Sequence, residues 1–70
     1  MRPDPITLIV NGEARTTQAE TLADFIAGED FGDMRIATAL NGAFVPAPAR
    51  YERRLEAGDR VEILSARQGG

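Results

Sequence analysis

The chain predicts an α+β fold: a mixed sheet of four to five strands with one main helix packed across one face. Three observations carry this. Strand-like runs lie near both ends, Ile6-Thr7-Leu8-Ile9-Val10 and Arg60-Val61-Glu62-Ile63-Leu64-Ser65. Two Asn-Gly dipeptides, Asn11-Gly12 and Asn41-Gly42, each sit between two such runs. Between the resulting hairpins, Leu22, Phe25 and Ile26 recur at the spacing of one helical face.

The elements follow in order. Ile6–Val10 is β-branched and of strand length. Asn11-Gly12 is the strongest short hairpin signal, because both residues tolerate the positive φ of a type I′ turn. A second strand, Glu13 to Gln18, pairs back, with Thr16 and Thr17 as good strand formers. Thr21 is placed to cap a helix of two to three turns, with Asp24 near its positive end and Gly28 as its stop. Such a helix cannot stand alone in water and must lie on a sheet. After an acidic loop, Arg35–Leu40 reads as a third strand, Asn41-Gly42 as a turn, and Ala43–Val45 as a short strand closed by Pro46. Pro46 and Pro48 bound an irregular stretch. Ala57-Gly58-Asp59 turns the chain into the last strand, Arg60 to Ser65. Strands one and last can lie side by side and parallel at the centre, which is the β-grasp, or ubiquitin-like, arrangement. Residues 1–65 form one such domain and residues 66–70 a flexible tail.

Alternation divides the residues between two faces. Ile6, Leu8, Val10, Leu40, Val45, Val61 and Ile63 point toward Phe25 and Ile26 of the helix. Ile9, Ala39, Phe44 and Leu64 then fall on the opposite face, where the helix cannot cover them. They form a candidate partner-binding patch.

Composition removes most chemistry of the chain's own. There is no cysteine or histidine, and all eight basic residues are arginine. Thiolate nucleophiles, disulfides, the commonest general base and Schiff-base chemistry are therefore absent. Ser65 has no base nearby in sequence. Glu29, Asp30 and Asp33 lack the spacing of an oxygen-ligand loop, so no metal site is expected. Gly12, Gly42 and Gly58 are turn residues, not a phosphate cradle. The net charge of −3, with arginines spread among acids, argues against nucleic acid. No apolar run is long enough to span a bilayer, and the first residues lack the apolar stretch of a signal peptide. A cytoplasmic domain, monomeric when free, is expected.

The tail is the exception. Gly69-Gly70 follows a strand directly and presents a carboxylate with no side chain beside it. Residues 66–70, fully extended, reach about 17 Å at roughly 3.3–3.6 Å per residue. Glycine fits a narrow channel because it lacks Cβ and permits unusual φ. A bare carboxylate is a poor electrophile, but an acyl-adenylate carries a good leaving group that a sulfur nucleophile can displace. Such a carrier needs a carboxylate and a docking face, not a catalytic residue.

Several segments carry a resemblance to a known family. They are Val10-Asn11-Gly12, Thr21-Leu22, Ala39-Leu40-Asn41-Gly42-Ala43-Phe44-Val45-Pro46, and Leu55-Glu56-Ala57-Gly58-Asp59-Arg60-Val61-Glu62-Ile63-Leu64 running on to Gln68-Gly69-Gly70. Over nearly its whole length the chain resembles the ThiS family of sulfur carriers. The linker Ser65-Ala66-Arg67 departs from the family pattern, and Arg2 to Asp4 stand as an N-terminal addition to it. The resemblance implies that Gly70 is adenylated by a ThiF-type enzyme that uses ATP, then converted to a thiocarboxylate. The sulfur would come from a cysteine desulfurase system and pass to ThiG, the thiazole synthase. The carrier itself would bind no cofactor and catalyse nothing. Gly70, with Gly69, is the expected reactive end, and Arg67 and Gln68 join the partner-binding residues; Arg67 would either pair with a carboxylate at the channel mouth or keep the tail solvated. Two alternatives share the fold: the small subunit of molybdopterin synthase, and a β-grasp interaction module that needs no free Gly70.

Overall fold

The computed structural model describes residues 2–29, 31 and 35–66. Five strands, one α-helix and one 3-10 helix follow in the order β1 (Ile6–Val10), β2 (Glu13–Thr17), α1 (Leu22–Ala27), β3 (Arg35–Leu40), β4 (Ala43–Val45), the 3-10 helix (Ala47–Glu52) and β5 (Arg60–Ala66). They build a single mixed sheet in the order β2-β1-β5-β3-β4. β5 occupies its centre, parallel to β1 and antiparallel to β3. This is the β-grasp arrangement expected from the sequence.

Both hairpins turn where the Asn-Gly dipeptides place them. Asn11 and Asn41 hold φ of 50° and 52°, and the following Gly12 and Gly42 hold 85° and 86°. Two successive left-handed residues make the primed turn whose twist matches the flanking strands.

Helix α1 has six residues, fewer than the two to three turns expected, and is too short to form by propensity alone. Its start is fixed locally and at a distance. The Thr21 hydroxyl accepts from the Asp24 N–H at 3.1 Å, a cap of the kind that contributes about 0.5–2 kcal/mol. The Leu22 N–H donates to Arg53 O at 2.8 Å, and the Leu55 N–H donates to Glu20 O at 2.9 Å. Leu22 and Phe25 then enter the core beside Leu8, Val10, Val45, Leu55, Val61 and Ile63, with Ile26 packed at its edge. The strand residues of this set are those that alternation assigned inward, except Ile6 and Leu40, which are half-buried and packed against it.

The segment after β4 differs from the irregular stretch expected. Pro46 sets an extended φ of −67° and Ala47–Glu52 close into a 3-10 helix. Arg50 explains why it docks there. Its Nε donates to Thr38 Oγ1 at 2.9 Å and one terminal nitrogen donates to Ile36 O at 3.1 Å. The Thr38 hydroxyl, almost fully buried, passes the chain on by donating to Val45 O at 2.8 Å. Burying a hydroxyl is costly unless it is bonded, and here it both donates and accepts. β2 ends at Thr17 rather than Gln18, and β5 runs one residue further than expected, to Ala66. No helix among the described residues is long and apolar enough to cross a membrane.

Candidate functional site

β5 is the last strand of the described residues and the centre of the sheet, and two kinds of contact hold it. On one side β3 pairs with it along its length, from Leu40↔Val61 to Arg35↔Ala66. On the other side β1 pairs only at its foot, Ile9↔Arg60 and Val10↔Val61. Above that point the turn takes over. The Asn11 side-chain amide imitates one residue of a strand: the Ile63 N–H donates to its Oδ1 at 2.8 Å, and its Nδ2 donates to Ile63 O at 3.1 Å. The second turn secures the foot in the same way. Asn41 Oδ1 accepts from the Arg60 N–H at 2.9 Å, and its Nδ2 donates to Asp59 Oδ1 at 3.1 Å. Each Asn-Gly dipeptide therefore does two jobs, reversing its own hairpin and clamping β5.

The sheet face opposite α1 carries the exposed apolar surface. Phe44 is 67% and Leu64 74% exposed. The register sets Phe44 beside Ala39, Ala39 beside Glu62, and Ala37 beside Leu64. Because two alanines lie between the large side chains, the surface dips into a hollow of about 150 Å³ lined by Ala37, Ala39, Phe44, Glu62 and Leu64, with Thr38 between. Of the four body residues proposed from alternation, the structure brings Ala39, Phe44 and Leu64 together in this hollow. Ile9 lies on β1 beside Arg60, half-buried and outside the hollow's lining. Ala37 and Glu62 were not singled out by sequence reasoning. Ala37 shares the phase of Ala39, and Glu62 that of Leu64, so the alternation that found the others also contained them. Arg67, Gln68, Gly69 and Gly70 lie outside the described residues, as do Asp30 and Asp33 of the acidic loop. Among the described residues no three potential ligands gather into a metal site.

A five-stranded mixed sheet with one helix on one face and exposed apolar side chains on the other is a β-grasp body of the ubiquitin-like class. The comparisons narrow this class. The model of the ThiS family matches residues 8–70. Among solved structures, a thiamine biosynthesis protein (ThiS) from Geobacter metallireducens is similar over 93% of this chain and 100% of its own, with a TM-score of 0.64 and 27% identity. No match is found among curated proteins. The chain belongs to the ThiS family, the small sulfur carriers of thiamine biosynthesis. It is a carrier, not a catalyst.

Proposed function

We propose that this chain carries sulfur as a thiocarboxylate on Gly70. A ThiF-type enzyme joins the Gly70 carboxylate to AMP, taking ATP and releasing pyrophosphate. Sulfur drawn as a persulfide from a cysteine desulfurase system, and released at the sulfide level by a thiol reductant that is oxidised to a disulfide, then displaces AMP at the same carbonyl carbon; AMP carries off one carboxylate oxygen and sulfur stands in its place. ThiG, the thiazole synthase, takes that sulfur into its substrate, and an oxygen from that substrate or from water replaces it and restores the carboxylate. Residues 1–65, with Ala66 at the end of β5, serve as the docking body, and the residues after Ala66 as the tail that enters each enzyme, Gly69 and Gly70 being narrow enough for a channel. The carrier acts as a cytoplasmic monomer and binds no cofactor; ATP is consumed by its partner.

The observation that supports this reading most is that the family match runs through Gly70 on a body that exposes Phe44 and Leu64 on one sheet face, Leu64 lying two residues before the end of β5. Ala39, Phe44 and Leu64 form the docking face, Ile9 lies toward its rim, and Arg67 and Gln68 contact the channel mouth. Adenylation is reversible, so ATP–pyrophosphate exchange tests it. A ThiF-type enzyme should exchange labelled pyrophosphate into ATP only when this chain is added. Exchange at the same rate without the chain, or none with it, would overturn the proposal.

A further inference from the structure

Among the described residues, the upper half of β5 has an open edge on the β1 side. Along an antiparallel ladder, residues alternate between exchanging both backbone bonds with the partner and directing them away. The Ile63 N–H and C=O are both taken by Asn11, on the β1 side. Thr38↔Ile63 is thus a pair that exchanges no bonds, and Ile36↔Ser65, two residues along, is another. The N–H and C=O of Ser65 therefore point away from β3, toward the side where β1 has already stopped at Val10. Asn11 reaches Ile63 and no further. Among the described residues no strand lies beside Ser65 on that side, and Ser65 is exposed.

An open stretch of backbone in a central strand is a template for another strand. We propose that the Ser65 edge is a β-addition site: an extended edge strand of the ATP-using enzyme that activates the C-terminus pairs with Ser65, taking up the line of β1 beyond Asn11. The inference rests on the proposed function, since it places that enzyme's strand beside the segment leading to Gly70. Continuity argues for this occupant over a second copy of the chain. Leu64 lines the outer hollow, Ser65 offers the edge, and the next residues are those that must enter the enzyme, so one partner can engage all three. Pairing there would hold the tail's first residues extended and fix the direction in which it is threaded. Asn11 sets the register, because it occupies the preceding position and leaves Ser65 as the first free pair.

Proline tests this selectively. It lacks an N–H and is tolerated where that N–H does not face a neighbouring strand. Ser65→Pro should leave the urea midpoint of the free chain unchanged and weaken Kd for the activating enzyme at least tenfold, with Ser65→Ala matching the unmodified chain. Independently, the Ser65 amide of the unmodified chain should exchange hydrogen freely alone and at least tenfold more slowly in the complex. An unchanged Kd in Ser65→Pro, or a Ser65 amide that exchanges as fast in the complex, would overturn the inference. So would self-association of the free chain that Ser65→Pro abolishes, since a second copy would then occupy the edge. If the unmodified chain does not bind the enzyme at all, the proposed function fails and this inference with it.

Discussion

Replacing Asn11 by glycine removes the clamp on β5 without straining the turn, because glycine accepts the φ of 50° held there. Two hydrogen bonds are lost, to the N–H and C=O of Ile63. Each is worth about 0.5–1.5 kcal/mol net, so the loss is about 1–3 kcal/mol. The lost partners belong to a residue only 9% exposed, which makes replacement by water incomplete. Asn41→Gly is the matched control. It makes the same backbone change at nearly the same φ, 52°, so the entropic cost of the new glycine cancels in the comparison. Its two bonds, to the Arg60 N–H and the Asp59 carboxylate, are exposed, and water can replace them. Asn41→Gly should therefore cost at least about 1 kcal/mol less than Asn11→Gly. The total stability of a 70-residue domain is about 4–10 kcal/mol, so the Asn11 effect is readily measured by urea unfolding. Equal costs for the two variants, or less than about 0.5 kcal/mol for Asn11→Gly, would refute the claim that Asn11 stands in for a strand residue.

Other expectations follow from the same structure. Phe44→Asp and Leu64→Asp change exposed residues and should shift stability by no more than about 0.5 kcal/mol, yet each should weaken binding to the activating enzyme by about 1.4 kcal/mol or more, a factor of ten. Titration calorimetry reads this directly, and unchanged affinity in both variants would remove the docking face. Thr38→Val keeps the side-chain shape but leaves Val45 O and Arg50 Nε without their hydroxyl partner. It should cost about 1–3 kcal/mol in urea unfolding, and combining it with Arg50→Met should cost clearly less than the sum of the two single changes. Additive costs would show that the hydroxyl and the guanidinium do not act together.

Much of the fold is legible because local signals and the global pattern agree. Asn11-Gly12 and Asn41-Gly42 announce their turns through φ, and Thr21 announces α1 through its hydroxyl; both are properties of a few adjacent residues. Inward and outward phases on β1 and β5 follow from period-two alternation, and the burial of Leu8, Val10, Val61 and Ile63 against exposed Leu64 repeats them. What was not legible depends on distance. The 3-10 helix docks where Arg50 finds Thr38 and Ile36, residues 12 and 14 positions away; Pro48 in its first turn is compatible with a helix start but does not by itself distinguish one from an irregular stretch. The tethers that hold the start of α1, from the Leu22 N–H to Arg53 O and from the Leu55 N–H to Glu20 O, are likewise made across the fold. The outer hollow shows the same limit. Alternation put Ala39, Phe44 and Leu64 on one face, but only the register across β4, β3 and β5 shows that two alanines separate the large side chains and that Ile9 lies apart. Likewise, asparagine in a turn predicts the turn, not the grip its side chain takes on a strand 52 residues later.

The central claim is that Gly70 is the atom-bearing end of the carrier, and intact-protein mass spectrometry after incubation with a ThiF-type enzyme, ATP and a sulfide source tests it most directly. The full chain should gain the mass difference of one sulfur for one oxygen, and the chain lacking Gly70 should gain nothing. The same mass gain in the chain lacking Gly70 would contradict the account.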